Sequence, residues 1–84
     1  MDKRNIIGNR IRKIRNTVGI TQEDLTARLN VLGINIDRPM VSKIENCSRE
    51  IVDYEIKAIA NVLKVSIDDL FKGSRQHFSA LHQQ

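Results

Sequence analysis

Cysteine and proline each occur once in these 84 residues, and tryptophan does not occur at all. With Cys47 alone, no internal disulfide can form and only one thiolate is on offer to a metal, so the residue reads as a small filler beside a loop. No apolar run approaches the roughly 18 residues that a membrane-spanning helix needs. Met1-Asp2-Lys3-Arg4-Asn5 leads into no signal-peptide hydrophobic stretch, so a cytoplasmic protein with no membrane partner is expected. Internal repeats and low-complexity tracts are missing, as are a glycine-rich phosphate loop, a nucleophile elbow and a metal-ligand cluster. His77 and His82 stand five apart, not at the three or four that puts two ligands on one helical face. Asp68-Asp69 reads as a pair of first-turn acids beside a helix cap rather than as a catalytic dyad. The chain is therefore expected to be no enzyme, with no catalytic residue, metal, cofactor or small-molecule site.

What is present is a charge asymmetry. Residues 1 to 50 hold ten Lys or Arg against six Asp or Glu, whereas residues 51 to 84 hold four of each. The whole net charge of +4 thus sits in the first half, a balance that suits a polyanionic partner without demanding one. Hydrophobic residues at 40% and charged residues at 29% fit a globule, and the length allows one compact domain.

Hydrophobic spacing divides that domain into helices. From Asn5 to Val18, Ile6, Ile7, Ile11, Ile14 and Val18 recur at helical intervals between Arg10, Arg12, Lys13 and Arg15, and Gly19 follows as a stop. Thr21 with Asp24 forms a short-armed capping box ahead of a second helix whose buried stripe is Leu25, Leu29 and Leu32, ending near Asn30 to Gly33. Gly33 to Asp37 reads as an ordered connection anchored by two isoleucines. Pro39 belongs in the first turn of a third helix, which leaves Asp37 or Arg38 as its N-cap. Met40, Val41 and Ile44 form that helix's apolar side, while Arg38, Ser42, Lys43 and Asn46 point elsewhere. A fourth helix begins at Asp53, its expected cap, with Ile56, Ile59, Ala60 and Leu63 facing inward. Ser66 caps a short fifth helix closed by Gly73. The fold class is all-α, with residues 1–73 as the domain and 74–84 as a polar tail whose Phe78 and Leu81 suit an extra contact or a dimer element.

A helix, a connection and a second helix with an exposed polar face is the arrangement of a helix-turn-helix. The segments Ile11-Arg12-Lys13-Ile14-Arg15, Gly19-Ile20-Thr21-Gln22-Glu23-Asp24-Leu25, Val41-Ser42-Lys43-Ile44-Glu45-Asn46 and Leu63-Lys64-Val65-Ser66-Ile67-Asp68-Asp69-Leu70-Phe71 resemble, in order, the phage-repressor (Cro/C1-type, xenobiotic-response-element) helix-turn-helix family. The resemblance implies a five-helix lambda-repressor-like domain that binds double-stranded DNA. It also implies roles at matching positions. Arg38, Pro39, Ser42 and Lys43 face the major groove, where Arg or Lys can donate to guanine O6 and N7 and the proline can touch a thymine methyl. Thr21 and Gln22, at the positive end of the second helix, hold a phosphate, with Asn46 and Arg49 as further backbone contacts. Arg15 and Glu45 form a structural ion pair between the first and third helices. Apart from the resemblance, the basic character of helix one makes Arg10 a candidate backbone contact, against the alternative of a solvated surface charge.

The chain departs from the family pattern at Thr26 and Asn30, where alanine and glycine are usual, at the connection, which is longer than the common form, and at Cys47, which stands where glycine usually takes a positive φ. Asn46 is the natural candidate to take that conformation instead. The reading is a sequence-specific transcriptional regulator, a repressor by the family's usual mechanism, binding a palindromic site as a homodimer. The alternative is an antitoxin-like or partner-binding module that uses the same fold to hold a protein, and basic residues at 38 and 43 favour DNA.

Overall fold

The computed structural model describes residues 3–73. The tail, with His77, Phe78, Leu81 and His82, lies outside the described residues. Five helices follow one another with no strand among the described residues: α1 (Gly8–Val18), α2 (Gln22–Val31), α3 (Arg38–Glu45), α4 (Asp53–Leu63) and α5 (Ile67–Leu70). Ile7, Ile11 and Ile14 beside α1, Leu25 and Leu29 on α2, Val41 and Ile44 on α3, Ile59 and Leu63 on α4 and Leu70 on α5 bury into one core. Each such side chain removed from water contributes about 1.5–3 kcal/mol before chain entropy is subtracted.

α1 starts three residues later than the apolar spacing predicts. Asn5 is not its first turn but its clasp: the side-chain carbonyl accepts the amides of Ile7 (3.1 Å) and Gly8 (2.7 Å). The side-chain nitrogen donates to the carbonyls of Ile44 (3.1 Å) and Arg49 (2.8 Å), fastening the start of α1 to the end of α3. The two helices meet so closely there that a Cβ on Gly8 would lie 2.0 Å from the Ile44 carbonyl oxygen. Glycine is the one residue the crossing admits. At the other end, Val18, the last helical residue before Gly19, is 49% exposed and belongs to the surface rather than to the buried stripe.

The Thr21–Asp24 capping box is complete: Thr21 Oγ1 accepts the Asp24 amide at 3.0 Å and the Asp24 carboxylate accepts the Thr21 amide at 3.1 Å. The Thr21 amide, and after it the Thr21 hydroxyl, hold the Asp24 carboxyl below its usual range. Leu32 lies beyond the end of α2 and is 47% exposed, so the buried stripe stops at Leu29. Thr26 is accommodated within α2 by donating its hydroxyl to the Gln22 carbonyl at 2.7 Å.

The long connection is an ordered segment. Gly33 turns it at φ 87°, and Asn30, still helical, spends its amide nitrogen on the carbonyls of Ile34 and Ile36, each at 2.9 Å. Ile36 is buried, and Ile34 packs against the core. The N-cap of α3 is Asp37, whose Oδ1 accepts the Met40 amide at 2.9 Å; Arg38 and Pro39 are the first two helical residues. At the C-terminus of α3 the left-handed residue is Cys47 itself (φ 66°), not Asn46 (φ −94°). The Cys47 amide reaches the Ile44 carbonyl (3.0 Å) and the Ser48 amide the Lys43 carbonyl (2.9 Å), the paired bonds of a helix-terminating Schellman turn. Asn46 is committed otherwise, its Oδ1 accepting both the amide (3.1 Å) and the hydroxyl (2.6 Å) of Ser48.

α4 is capped at Val52, with Asp53 as its first helical residue, one position later in role than the sequence suggests. The reason is tertiary. Glu55 folds back to accept the Val52 amide at 3.1 Å while held by Arg49, and this fixes where the helix starts. Ser66 caps α5 by accepting the Asp69 amide at 3.0 Å, and the Asp69 carboxylate accepts the Ser66 amide at 3.2 Å. Among the described residues no helix is long and apolar enough to cross a membrane.

Candidate nucleic-acid interface

α3 buries Val41, Ile44 and Glu45 and turns Arg38, Pro39, Lys43 and Asn46 to solvent, with Ser42 at the margin. One turn of helix separates Arg38 from Ser42, so they share a ridge, and Pro39 and Lys43 form the next ridge around. Gln22, at the first position of α2, closes over this face: Gln22, Arg38, Pro39 and Ser42 line one concavity of about 250 Å³. Gln22 and Arg38 also border a second, larger hollow with Gly19, Thr21 and Glu23 at the α2 N-terminus. Among the described residues neither the Arg38 guanidinium nor the Lys43 ammonium has a hydrogen-bond or ion-pair partner within the chain. Two unpaired cations on a short rigid helix are free to bond with something outside the molecule.

The rigidity has an identifiable source beneath the exposed face. Glu45 is 2% exposed, and both its oxygens are in use. Oε2 accepts from Arg15 Nε at 2.6 Å, and Oε1 accepts from Arg15 Nη2 and from Gln22 Nε2, each at 3.0 Å. A third Arg15 nitrogen donates to the Ile20 carbonyl at 2.8 Å. The fork-to-fork pairing of guanidinium and carboxylate offsets the cost of burying both charges, and it ties α1, the α1–α2 turn, α2 and α3 at one point. Among the described residues no buried side-chain nitrogen or oxygen lacks a partner.

Other residues expected at the interface are placed differently. Arg49 is committed to Glu55 by two 3.0 Å bonds, from Nη1 to Oε1 and from Nη2 to Oε2, and also donates to the Glu50 carbonyl. Burial alone would raise the Glu55 carboxyl, but the Arg49 bonds and the Val52 amide outweigh it and hold it below its ordinary value. Arg49 thus carries little free charge towards a phosphate, although it borders the same hollow as Lys43 and Ser48. Arg10 points away from α3: its Nε donates to the Asp69 carbonyl on α5 at 3.0 Å, and it lies with Lys3, Lys13 and Lys72 in a hollow that shares no residue with those around Gln22 and Arg38. Thr21 is exposed beside the interface with its oxygen engaged in the α2 cap. Asn46 is exposed at the far end of α3.

Sequence reasoning missed three residues that position this surface. Asn5 and Gly8 set the α1–α3 crossing, and the signal was an Asn three residues before a Gly, the spacing of a side-chain clasp ahead of a close approach. Glu55 fixes Arg49 and α4; its signal was an acid at the third helical position. Among the described residues no three His, Cys, Asp or Glu side chains gather as metal ligands.

A helix-turn-helix family model matches residues 11–70, from the middle of α1 to the last residue of α5. Neither the curated proteins nor the solved structures give a match. The matched span covers well over half the chain and includes α2, the connection and α3 whole, so the chain belongs to the Cro/C1-type helix-turn-helix family of double-stranded DNA-binding transcriptional regulators.

Proposed function

We propose that the protein is a repressor that binds a palindromic or near-palindromic duplex as a homodimer, with α3 in the major groove of each half-site. The observation that carries this reading is the unpaired state of Arg38 and Lys43 on the outward face of α3. Arg38 and Lys43 donate to guanine O6 and N7, Pro39 meets a thymine methyl, and Ser42 bonds to a base edge between them. The α2 N-terminus takes a backbone phosphate through Thr21 and through the Gln22 and Glu23 amides, which precede the first intrahelical bond of α2, from the Leu25 amide to the Thr21 carbonyl. Asn46 is placed to reach the backbone at the other end of α3. Arg10 and Arg49, held by α5 and by Glu55, drop out of the contact set.

Dimerisation follows from the information one module can read. A single short helix specifies only a few base pairs, and two-fold pairing squares that discrimination. Bound across a promoter, such a dimer represses by occlusion. Selection from a random duplex library with the purified chain tests the reading. The expected outcome is an enriched inverted repeat with half-site centres about one helical turn, roughly 34 Å, or a multiple of it apart. A library that returns no motif refutes it.

A further inference from the structure

Arg4, a cation of the segment ahead of α1, stands beside Lys43 of α3. Its amide donates to the Cys47 carbonyl at 2.8 Å, just past the end of α3, and its side chain lines one hollow with Met40, Lys43, Arg49 and Glu50. Arg49 borders that hollow with its guanidinium spent on Glu55. Arg4 is not spent in the same way. Among the described residues its guanidinium makes one side-chain bond, from Nη2 to Glu50 Oε2 at 3.0 Å, between side chains that are 57% and 69% exposed. An ion pair this open to water contributes little and exchanges readily for another anion.

The place of the hollow along α3 indicates which anion. Arg38 and Ser42 edge the outward face of α3 on the side of the α2 N-terminus, while Met40 and Lys43 edge it on the other side. A helix seated in the major groove has a sugar-phosphate wall along each margin. The first wall meets the amides at the start of α2, and the second faces the hollow in which Arg4 stands. We infer that Arg4 is a further backbone-binding residue: on the duplex its guanidinium leaves Glu50 and takes phosphate oxygens of the strand along the Lys43 margin. A guanidinium fork fits a phosphate as it fits a carboxylate, and the exchange makes and breaks hydrogen bonds only. The bond from the Arg4 amide to Cys47 fixes the segment to the end of α3, so the cation is carried with the helix that reads the bases. This inference rests on the duplex-binding reading above and adds to it a contact that carries no sequence information.

Three substitutions test it. Arg4→Ala removes the fork and keeps the backbone amide, Arg4→Lys keeps the charge, and Lys3→Ala removes a neighbouring cation that borders the separate hollow around Arg10; thermal melting establishes that each variant folds. Each variant and the unsubstituted chain are put through the random duplex selection, then titrated against the selected duplex and an unrelated duplex of equal length between about 50 and 200 mM salt. Arg4→Ala should leave the motif unchanged and weaken both duplexes by the same factor. Its plot of log K against log salt should be shallower by about 0.9, so that the loss shrinks roughly threefold across that range. Arg4→Lys should restore the slope, and Lys3→Ala should leave it as it is. An unchanged slope in Arg4→Ala, or an equal flattening in Lys3→Ala, overturns this inference while a persistent motif leaves the duplex reading standing. Weakening confined to the selected duplex does the same, since a phosphate contact serves every sequence alike. The absence of any motif for the unsubstituted chain overturns both.

Discussion

Removing Glu45 asks the most of the arrangement described here. Glu45→Ala leaves the Arg15 guanidinium, 10% exposed at its side chain, facing a cavity without its carboxylate, and frees the Gln22 amide. Breaking one partner of a buried ion pair costs about 3–5 kcal/mol, because the surviving charge stays desolvated without compensation. A domain of this length has a total stability on the order of 5–10 kcal/mol, so the variant forfeits roughly half of it. At about 4–8 °C per kcal/mol for a domain this size, the melting temperature falls by roughly 12–40 °C. Urea unfolding followed by far-ultraviolet circular dichroism measures the loss directly. Replacing both partners, Arg15→Met with Glu45→Leu, should recover most of it, since two apolar groups of similar volume carry no unpaired charge. A loss below about 1 kcal/mol for Glu45→Ala, the scale of an exposed pair, would show that water screens this bridge and would refute its role as the anchor beneath α3.

Lys43→Ala should cost about 1–3 kcal/mol on the selected duplex and relax the preference at one base pair, measured by titrating single-position variants of the site. Gly8→Ala drives a methyl against the Ile44 carbonyl and should destabilise the fold strongly, read as a lowered urea midpoint, whereas Lys64→Gly, at an exposed left-handed residue (φ 60°), should stabilise it by about 0.5–1 kcal/mol. The Asp69 carboxyl is pulled down to about 2, first by Lys72 and then by the Ser66 amide and hydroxyl. Its folded value lies below its unfolded one, so its contribution is fully present above about pH 4 and disappears as pH falls toward 2, and Asp69→Asn should flatten the acid limb of the stability profile in that window.

Much of the fold was legible because its instructions are local. Thr21 with Asp24 and Ser66 with Asp69 mark helix starts by bonds that span three residues, and the isoleucine spacing of α1 names its inner face without reference to any neighbour. The failures occur where distant residues decide. Asn5 looks like a first-turn residue until the carbonyls of Ile44 and Arg49 claim its side chain. Asn46 is a natural left-handed residue, yet Ser48 occupies its oxygen and the positive φ moves to Cys47. Asp53 resembles a cap, but Arg49 holds Glu55 where it captures the Val52 amide instead.

The interface divides in the same way. The outward residues of α3 follow from helical period and the apolar side of the helix, so Arg38, Ser42 and Lys43 could be named from spacing and family resemblance together. Which arginines are already paired could not be read, since the partners of Arg10 and Arg49 are a carbonyl on α5 and a carboxylate on α4. Nor does spacing reveal that Gln22 spends an N–H on Glu45, a bond that joins residues 23 positions apart.

Guanine N7 faces only the major groove, so its protection from methylation on a selected duplex is the most direct measurement of where α3 sits. With the chain bound, guanines inside each half-site should lose reactivity, and Arg38→Ala should restore it at a defined subset while the rest of the footprint persists. Undiminished N7 reactivity across a saturated site would contradict the account.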